Sequence, residues 1–249
     1  MKKLLLIPGH GDGDPGACAT INKVKYKEAD EAIKVCQSLK TQLKHYNISV
    51  DIYNTKKNAY KELCNGHSIP FSGYDYVLEV HFNAGACDTK GNGKTTGVEI
   101  LLPTRNTPKN QSLEKQLVKA VASIGFKNRG VKVAQLKVIN TASVAGVSAS
   151  LLEVCFIDDK DDMLLYSKKK AAIASVLAQV FIDKWKLKMT ARVLSQVAFR
   201  SAKKVTPSNR LLWIPEGKEV TVLKEEGSWL KVKYGGMSGY IVRSKTSFV

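Results

Sequence analysis

Short apolar runs alternate with stretches of helical period along most of this chain, and that alternation limits the fold more than any other feature. Residues 2–8 carry Leu4-Leu5-Leu6-Ile7 into a glycine-rich turn, and residues 26–43 then place Tyr26, Ala29, Ile33, Cys36, Leu39 and Leu43 at helical spacing. Residues 48–53 alternate, residues 74–82 and 98–102 are apolar runs rich in strand formers, and residues 113–124 return to helical period. Residues 132–139 and 148–156 read as two further strands, and residues 169–186 as a helix with Ala172, Val176, Leu177, Val180 and Phe181 inward. Strand and helix in turn predict an α/β domain over residues 1–187, built on a mostly parallel twisted sheet flanked by helices. After Lys188 the texture changes to five short strand-like pieces (193–199, 211–214, 219–223, 229–234 and 239–242) punctuated by Gly217, Gly227 and Gly235-Gly236. Residues 188–249 are therefore expected to form a small all-β barrel. A length of 249 residues suits one large and one small unit.

Hydrophobic residues make up 44% and charged residues 24% of the chain, which excludes a disordered, collagen-like or coiled-coil protein. No run approaches the roughly 18 to 20 apolar residues that span a bilayer, and the apolar stretch after Met1-Lys2-Lys3 is too short for a secretory core. The expectation is a soluble protein, not inserted in a membrane and without an export signal. Lys and Arg outnumber Asp and Glu 39 to 22, a formal charge of +17 that draws the protein toward polyanions such as nucleic acid, anionic lipid or an anionic wall polymer. The excess is densest in residues 190–249, but no stretch reads as a nucleic-acid tail, so nucleic acid is not the predicted partner. Five cysteines, Cys18, Cys36, Cys64, Cys87 and Cys155, lack a CxxC pair and suit synthesis in a reducing cytosol.

The chemistry-bearing residues fall at the ends of the predicted strands. Pro8-Gly9-His10-Gly11-Asp12-Gly13-Asp14-Pro15-Gly16-Ala17 presents one imidazole where α/β domains place their sites. The loop has neither the P-loop ending nor the dinucleotide spacing. His81 closes the run 76–84, and Glu153 interrupts Ser150-Leu151-Leu152-Glu153-Val154-Cys155-Phe156. A carboxylate among such neighbours is costly unless it faces a metal, a donor or a wet cleft. Glu28 opens the first helix, where it can turn toward the His10 loop. Two imidazoles and a carboxylate are the ligand set of a catalytic zinc site with an open fourth position. Glu79 and Asn83 share His81's strand face and are candidates to support it, Asn83 also for substrate contact. Asp158, Asp159, Asp161 and Asp162 lack the pattern of an EF-hand loop and are read as helix caps.

Together these motifs resemble the zinc-dependent N-acetylmuramoyl-L-alanine amidases of bacterial autolysins and phage endolysins, over about residues 2–186. Gly9-His10-Gly11 with Asp14-Pro15-Gly16-Ala17, His81-Phe82-Asn83-Ala84, Asn128-Arg129-Gly130 and Leu152-Glu153-Val154-Cys155-Phe156 occur in the family's order. The resemblance implies zinc on His10, Glu28 and His81, Glu153 as general base and then acid, and hydrolysis of the bond between N-acetylmuramic acid and L-alanine in peptidoglycan. The family register favours Glu28 over Glu31, because Val35, Leu39 and Leu43 then fall at its apolar offsets. The tail resembles a bacterial SH3-like wall-binding domain: Val197-Ala198-Phe199-Arg200-Ser201, residues 215–223, Gly227-Ser228-Trp229-Leu230-Lys231-Val232 and Ser238-Gly239-Tyr240-Ile241-Val242 match, while Ala202-Lys203-Lys204 replaces the usual Gly-Pro. Trp229 and Tyr240 are its candidate ligand contacts, with Trp213 and Tyr234 beside them. A phage-type endolysin, made in the host cytoplasm and released through a holin-type pore, is the leading expectation. A cysteine-dependent wall endopeptidase using Cys18 or Cys155, and a non-catalytic wall or nucleic-acid binder, are the alternatives.

Overall fold

The computed structural model describes residues 1–108 and 110–249 in two compact units, Met1–Lys44 with Ile48–Trp185, and His45–Asn47 with Lys186–Val249. In the first, the chain runs β1 (Lys2–Pro8), β2 (Cys18–Ile21), β3 (Val24–Lys27), α1 (Glu28–Leu43), β4 (Ile48–Ile52) and α2 (Ala59–Cys64). It continues through β5 (Tyr76–Asn83), β6 (Val98–Pro103), α3 (Ser112–Ala122), β7 (Asn128–Ala134), α4 (Lys137–Val144), β8 (Ser148–Phe156) and α5 (Lys160–Trp185). The sheet order is β4-β1-β5-β8-β6-β7, and every pairing is parallel except β6 with β8.

Both faces of the sheet are covered, which explains the unbroken apolar runs. Leu5, Ile7, Val77, Ala149 and Leu151 pack with Ala59 and Leu63 of α2 and Val138, Ile139 and Ala142 of α4. Leu4, Leu6, Leu78 and Val80 are buried on the opposite side of the same strands. The carboxyl ends of the adjacent strands β1 and β5 lie side by side, with Pro8 paired to Val80.

Some local expectations are corrected. Residues 132–139 are not one strand: β7 stops at Ala134 and α4 begins at Lys137. Val138 and Ile139 are β-branched, but burial of Val138, Ile139, Ala142 and Ser143 follows a helical face. Tyr26 is not helical; it lies in the β2–β3 hairpin, whose turn residues Asn22 and Lys23 both have positive φ (48° and 67°). The helix α2, unforeseen, is six residues long and capped by Asn58, whose side chain accepts the Lys61 amide. Of the acidic run only Asp159 caps α5, accepting the Asp162 amide at 3.0 Å; Asp158 instead accepts the amides of Gly85 and Cys87, Asp161 those of Asn92 and Gly93, and Asp162 those of Gly97 and Phe156.

The second unit is a seven-stranded antiparallel sheet: β9 (Met189–Val193), β10 (Val197–Arg200), β11 (Arg210–Ile214), β12 (Glu219–Glu226), β13 (Trp229–Tyr234), β14 (Met237–Val242) and β15 (Thr246–Phe248). The strand foreseen at 193–199 is interrupted at Leu194-Ser195-Gln196 and forms β9 and β10. The order is β11-β10-β14-β13-β12-β9-β15; among the described residues no ladder joins β11 to β15, so the pairing is an open strip. Phe199, Ile214, Leu230, Val232 and Ile241 form its core. Among the described residues no helix is long and apolar enough to cross a membrane.

Candidate active site

His10 stands just beyond β1 with φ 64°, a conformation non-glycine residues rarely adopt. Its ring faces two acids: Nε2 is 3.1 Å from Glu28 Oε2, and Nδ1 is 2.9 Å from Asp14 Oδ2. His81, near the end of β5, repeats the arrangement, with Nδ1 2.7 Å from Glu28 Oε1 and Nε2 3.2 Å from Glu79 Oε1. Glu28, the first residue of α1, thus bridges both imidazoles while its oxygens accept the amides of Ala17 and Phe82. The His10, Glu28 and His81 donor atoms lie within 4.8 Å of one another.

Glycine makes this convergence sterically feasible. A Cβ on Gly16, which has φ +65°, would lie 2.6 Å from the His10 ring and 2.7 Å from Glu28 Oε2. A Cβ on Gly9 would run into the His81 ring. Asn58 couples the loop to α2, its amide donating to Asp14 Oδ2 at 3.1 Å.

The electrostatics favour a cation. Burial pushes Glu28 up, but hydrogen bonds from His10 and His81 outweigh it and hold the carboxyl well below its usual range. The Glu28 hydrogen bond raises His10 against its burial, with Asp14 adding to it. Burial lowers His81, yet Glu28 and Glu79 carry it well above an ordinary imidazole. In a chain with a net charge of +17, four carboxylates around two imidazoles form a local acidic site. Each ring turns one nitrogen toward Glu28 and the other to an orienting carboxylate, the outer partner that metal-bound histidines commonly keep. Donor types and spacing therefore fit zinc.

Glu153, on β8, pairs in register with His81 on one side and Glu99 on the other. Its Oε2 is buried with no hydrogen-bond partner, and burial first, with the charges of Glu28, Glu99 and Glu79 against that of His81, pushes its carboxyl up to about 7. A carboxyl poised there exchanges protons readily at neutral pH. A cleft of about 360 Å³ opens on this centre, lined by Gly9, His10, Asp14, Glu79 and His81 and walled by Tyr60, Leu136 and Lys137.

Glu31, the rejected alternative to Glu28, lies elsewhere: it binds Lys34, Lys170 and the hydroxyl of Tyr166. Asn83 directs its amide to Glu99 Oε1 at 2.7 Å. Glu99 is buried and also takes Arg129 (3.0 Å) and Lys132, so the Arg129 motif reaches the centre through Glu99. Neither Asp14 nor Glu99 was assigned from sequence, although Asp14 stood in a recognised motif and Glu99 interrupts an apolar strand just as Glu153 does. Cys155 is fully buried, with its thiol pushed well up by burial, a poor nucleophile, and Cys18 Sγ is 3.7 Å from the Gly16 carbonyl. In the second unit Trp229 and Tyr240 share the half-exposed face opposite Leu230 and Ile241, with Lys231 paired to Tyr240 between them.

Over the first unit the chain is similar to known proteins. A family profile described as N-acetylmuramoyl-L-alanine amidase matches residues 4–180. The chain is 29% identical over 170 residues to an endolysin of Bacillus phage SPP1, covering 68% of this chain and 60% of that protein. It is 25% identical over 162 residues to the N-acetylmuramoyl-L-alanine amidase CwlM of Bacillus licheniformis, covering 65% and 59%. The chain thus spans about three fifths of the length of these curated relatives. Among solved structures, the catalytic domain of the amidase CwlV from Paenibacillus polymyxa superposes with a TM-score of 0.58 at 18% identity, over 75% of this chain and 99% of that one, which supports the shared fold.

Proposed function

Because the chain belongs to the N-acetylmuramoyl-L-alanine amidase family, we propose that it is a zinc-dependent peptidoglycan hydrolase. The bond cut is the amide between the lactyl group of N-acetylmuramic acid and the L-alanine of the stem peptide. The observation that carries this reading is the convergence of His10, Glu28 and His81 within 4.8 Å, with Glu153, whose buried Oε2 has no hydrogen-bond partner, in register with His81 on the next strand.

His10, Glu28 and His81 would hold zinc, which supplies Lewis-acid activation of water and of the scissile carbonyl when bound. Asp14 and Glu79 fix the orientation of the two rings and strengthen them as donors. Glu153 takes a proton from the attacking water and returns it to the leaving amine, a role its carboxyl near 7 suits at neutral pH. Burial above all keeps the Glu153 carboxyl high, and Glu99, held on the neighbouring strand by Arg129, Lys132 and Asn83, adds to it more weakly.

Similarity to a phage endolysin supports a lytic role with synthesis in the host cytoplasm and release to the wall; in this reading a holin-type pore is the route of release. Residues 188–249 are read as an SH3-like wall-binding domain, with Trp229 and Tyr240 on the contact face and Asn83 near substrate in the catalytic unit. The +17 charge suits a wall carrying anionic polymers. The test is digestion of purified Gram-positive wall by wild type and Glu153→Gln. New L-alanine amino termini that vanish in the variant support the amidase; new reducing ends or other peptide termini would refute it.

A further inference from the structure

The catalytic cleft does not end at Lys137. A second cleft, about 510 Å³, shares Tyr60, Gln135, Leu136 and Lys137 with it and continues past Arg105, Asn140, Thr141 and Val144. Its lining holds two cations, Arg105 and Lys137, and no acid. The Arg105 backbone is fixed at both ends to α4: Asn140 Oδ1 accepts its amide at 3.1 Å, and the Ser143 hydroxyl donates to its carbonyl at 2.8 Å. The guanidinium and the Lys137 ammonium, by contrast, have no partner among the described residues. Lys137 also opens α4, which starts without a side-chain cap and with no acid in its first turn, so the positive helix end adds to the two cations.

The substrate halves on either side of the scissile amide differ in charge. The lactyl carboxyl is consumed in that amide and leaves the glycan side neutral, whereas the peptide side ends in a free carboxylate. We infer that the second cleft is the subsite for the peptide half of the substrate, with Arg105 and Lys137 binding a peptide carboxylate. Tyr60, which exposes 57% of its surface at the junction of the two clefts, supplies the apolar wall that the peptide crosses. This assignment rests on the amidase reading.

The experiment compares two soluble muramoyl peptides that differ only in a terminal carboxylate or carboxamide, on full-length wild type and on the Arg105→Gln/Lys137→Gln double variant. Wild type should favour the carboxylate in KM by on the order of tenfold, a preference that fades with added salt and collapses toward one in the variant. Equal use of both substrates by wild type, or a preference that survives in the variant, overturns the assignment. Binding of the corresponding free L-alanyl peptides, followed by calorimetry on the same two proteins, is read independently of turnover. If neither substrate is cleaved, the amidase reading fails while the binding arm still decides the cleft, and failure to bind the carboxylate peptide more tightly than the carboxamide overturns it.

Discussion

Replacing Glu153 by Gln should change how stability depends on pH, in a direction fixed by the burial of that carboxyl. Folded Glu153 keeps its proton up to about 7, whereas in the unfolded chain it loses it near the ordinary 4.5. Between those values the folded state binds the extra proton, so this group makes stability greatest at acid pH and lowers it as pH rises through the window. A difference of about 2.5 units corresponds to about 3 kcal/mol at full ionisation. Glutamine has the same shape and never ionises. The stability difference between variant and wild type should therefore move by about 3 kcal/mol in the variant's favour between pH 4 and pH 8. Urea unfolding of both proteins in chelator, at closely spaced pH values, reads this directly. The comparison cancels Glu28, Glu31 and Glu99, whose carboxyls are lowered and whose contributions run the other way. Parallel pH curves for the two proteins would refute the claim that burial and the neighbouring carboxylates hold the proton on Glu153. The same variant should lose about 10²- to 10⁴-fold in amide hydrolysis.

Asp14→Ala should weaken zinc binding about 10- to 100-fold, measured by competition with a chromophoric chelator, because His10 loses its orienting carboxylate. Gly16→Ala should weaken it in the same assay by at least tenfold, since the new methyl would press on His10 and Glu28 at a backbone conformation with φ +65°. Glu31→Ala should leave zinc affinity and turnover intact yet lower unfolding stability by about 1 to 3 kcal/mol, because the buried Tyr166 hydroxyl loses its acceptor; a variant that instead lost its metal would reverse the assignments of Glu28 and Glu31.

The sequence made the centre readable where chemistry and pattern conflicted. A histidine at the end of an apolar strand, or a glutamate inside one, has no structural excuse, and His81 and Glu153 do meet across β5 and β8. Glu28 and Glu31 are both buried on α1, so burial did not separate them; the register of Val35, Leu39 and Leu43 did, and Glu31 proved to be tied to Lys34, Lys170 and Tyr166. Glu99 carried the same signal as Glu153, a charge in an apolar run, but its partners Arg129, Lys132 and Asn83 come from two other strands, and no local pattern announces that meeting. Asp14 reaches His10 only because the loop turns back through His10, Gly11, Asp12 and Gly13, all at positive φ. The helix α4 was hidden because two β-branched residues, Val138 and Ile139, stand in its first turn, and the β2–β3 hairpin because its turn uses Asn22-Lys23 without glycine. The short strands of the second unit were located by their turns, but their pairing into a seven-stranded strip depends on contacts between residues far apart in the chain.

The central claim, one zinc held by His10, Glu28 and His81 and used by Glu153 to cut the muramoyl–alanine amide, is tested most directly by titrating zinc into chelator-stripped full-length protein while counting new L-alanine amino termini released from wall. The account predicts a rise that breaks at one zinc per chain, is absent in Glu153→Gln, and is accompanied by full-strength zinc binding in that variant. Release that ignores the chelator, or zinc uptake that persists when His10 and His81 are both replaced by alanine, would contradict it.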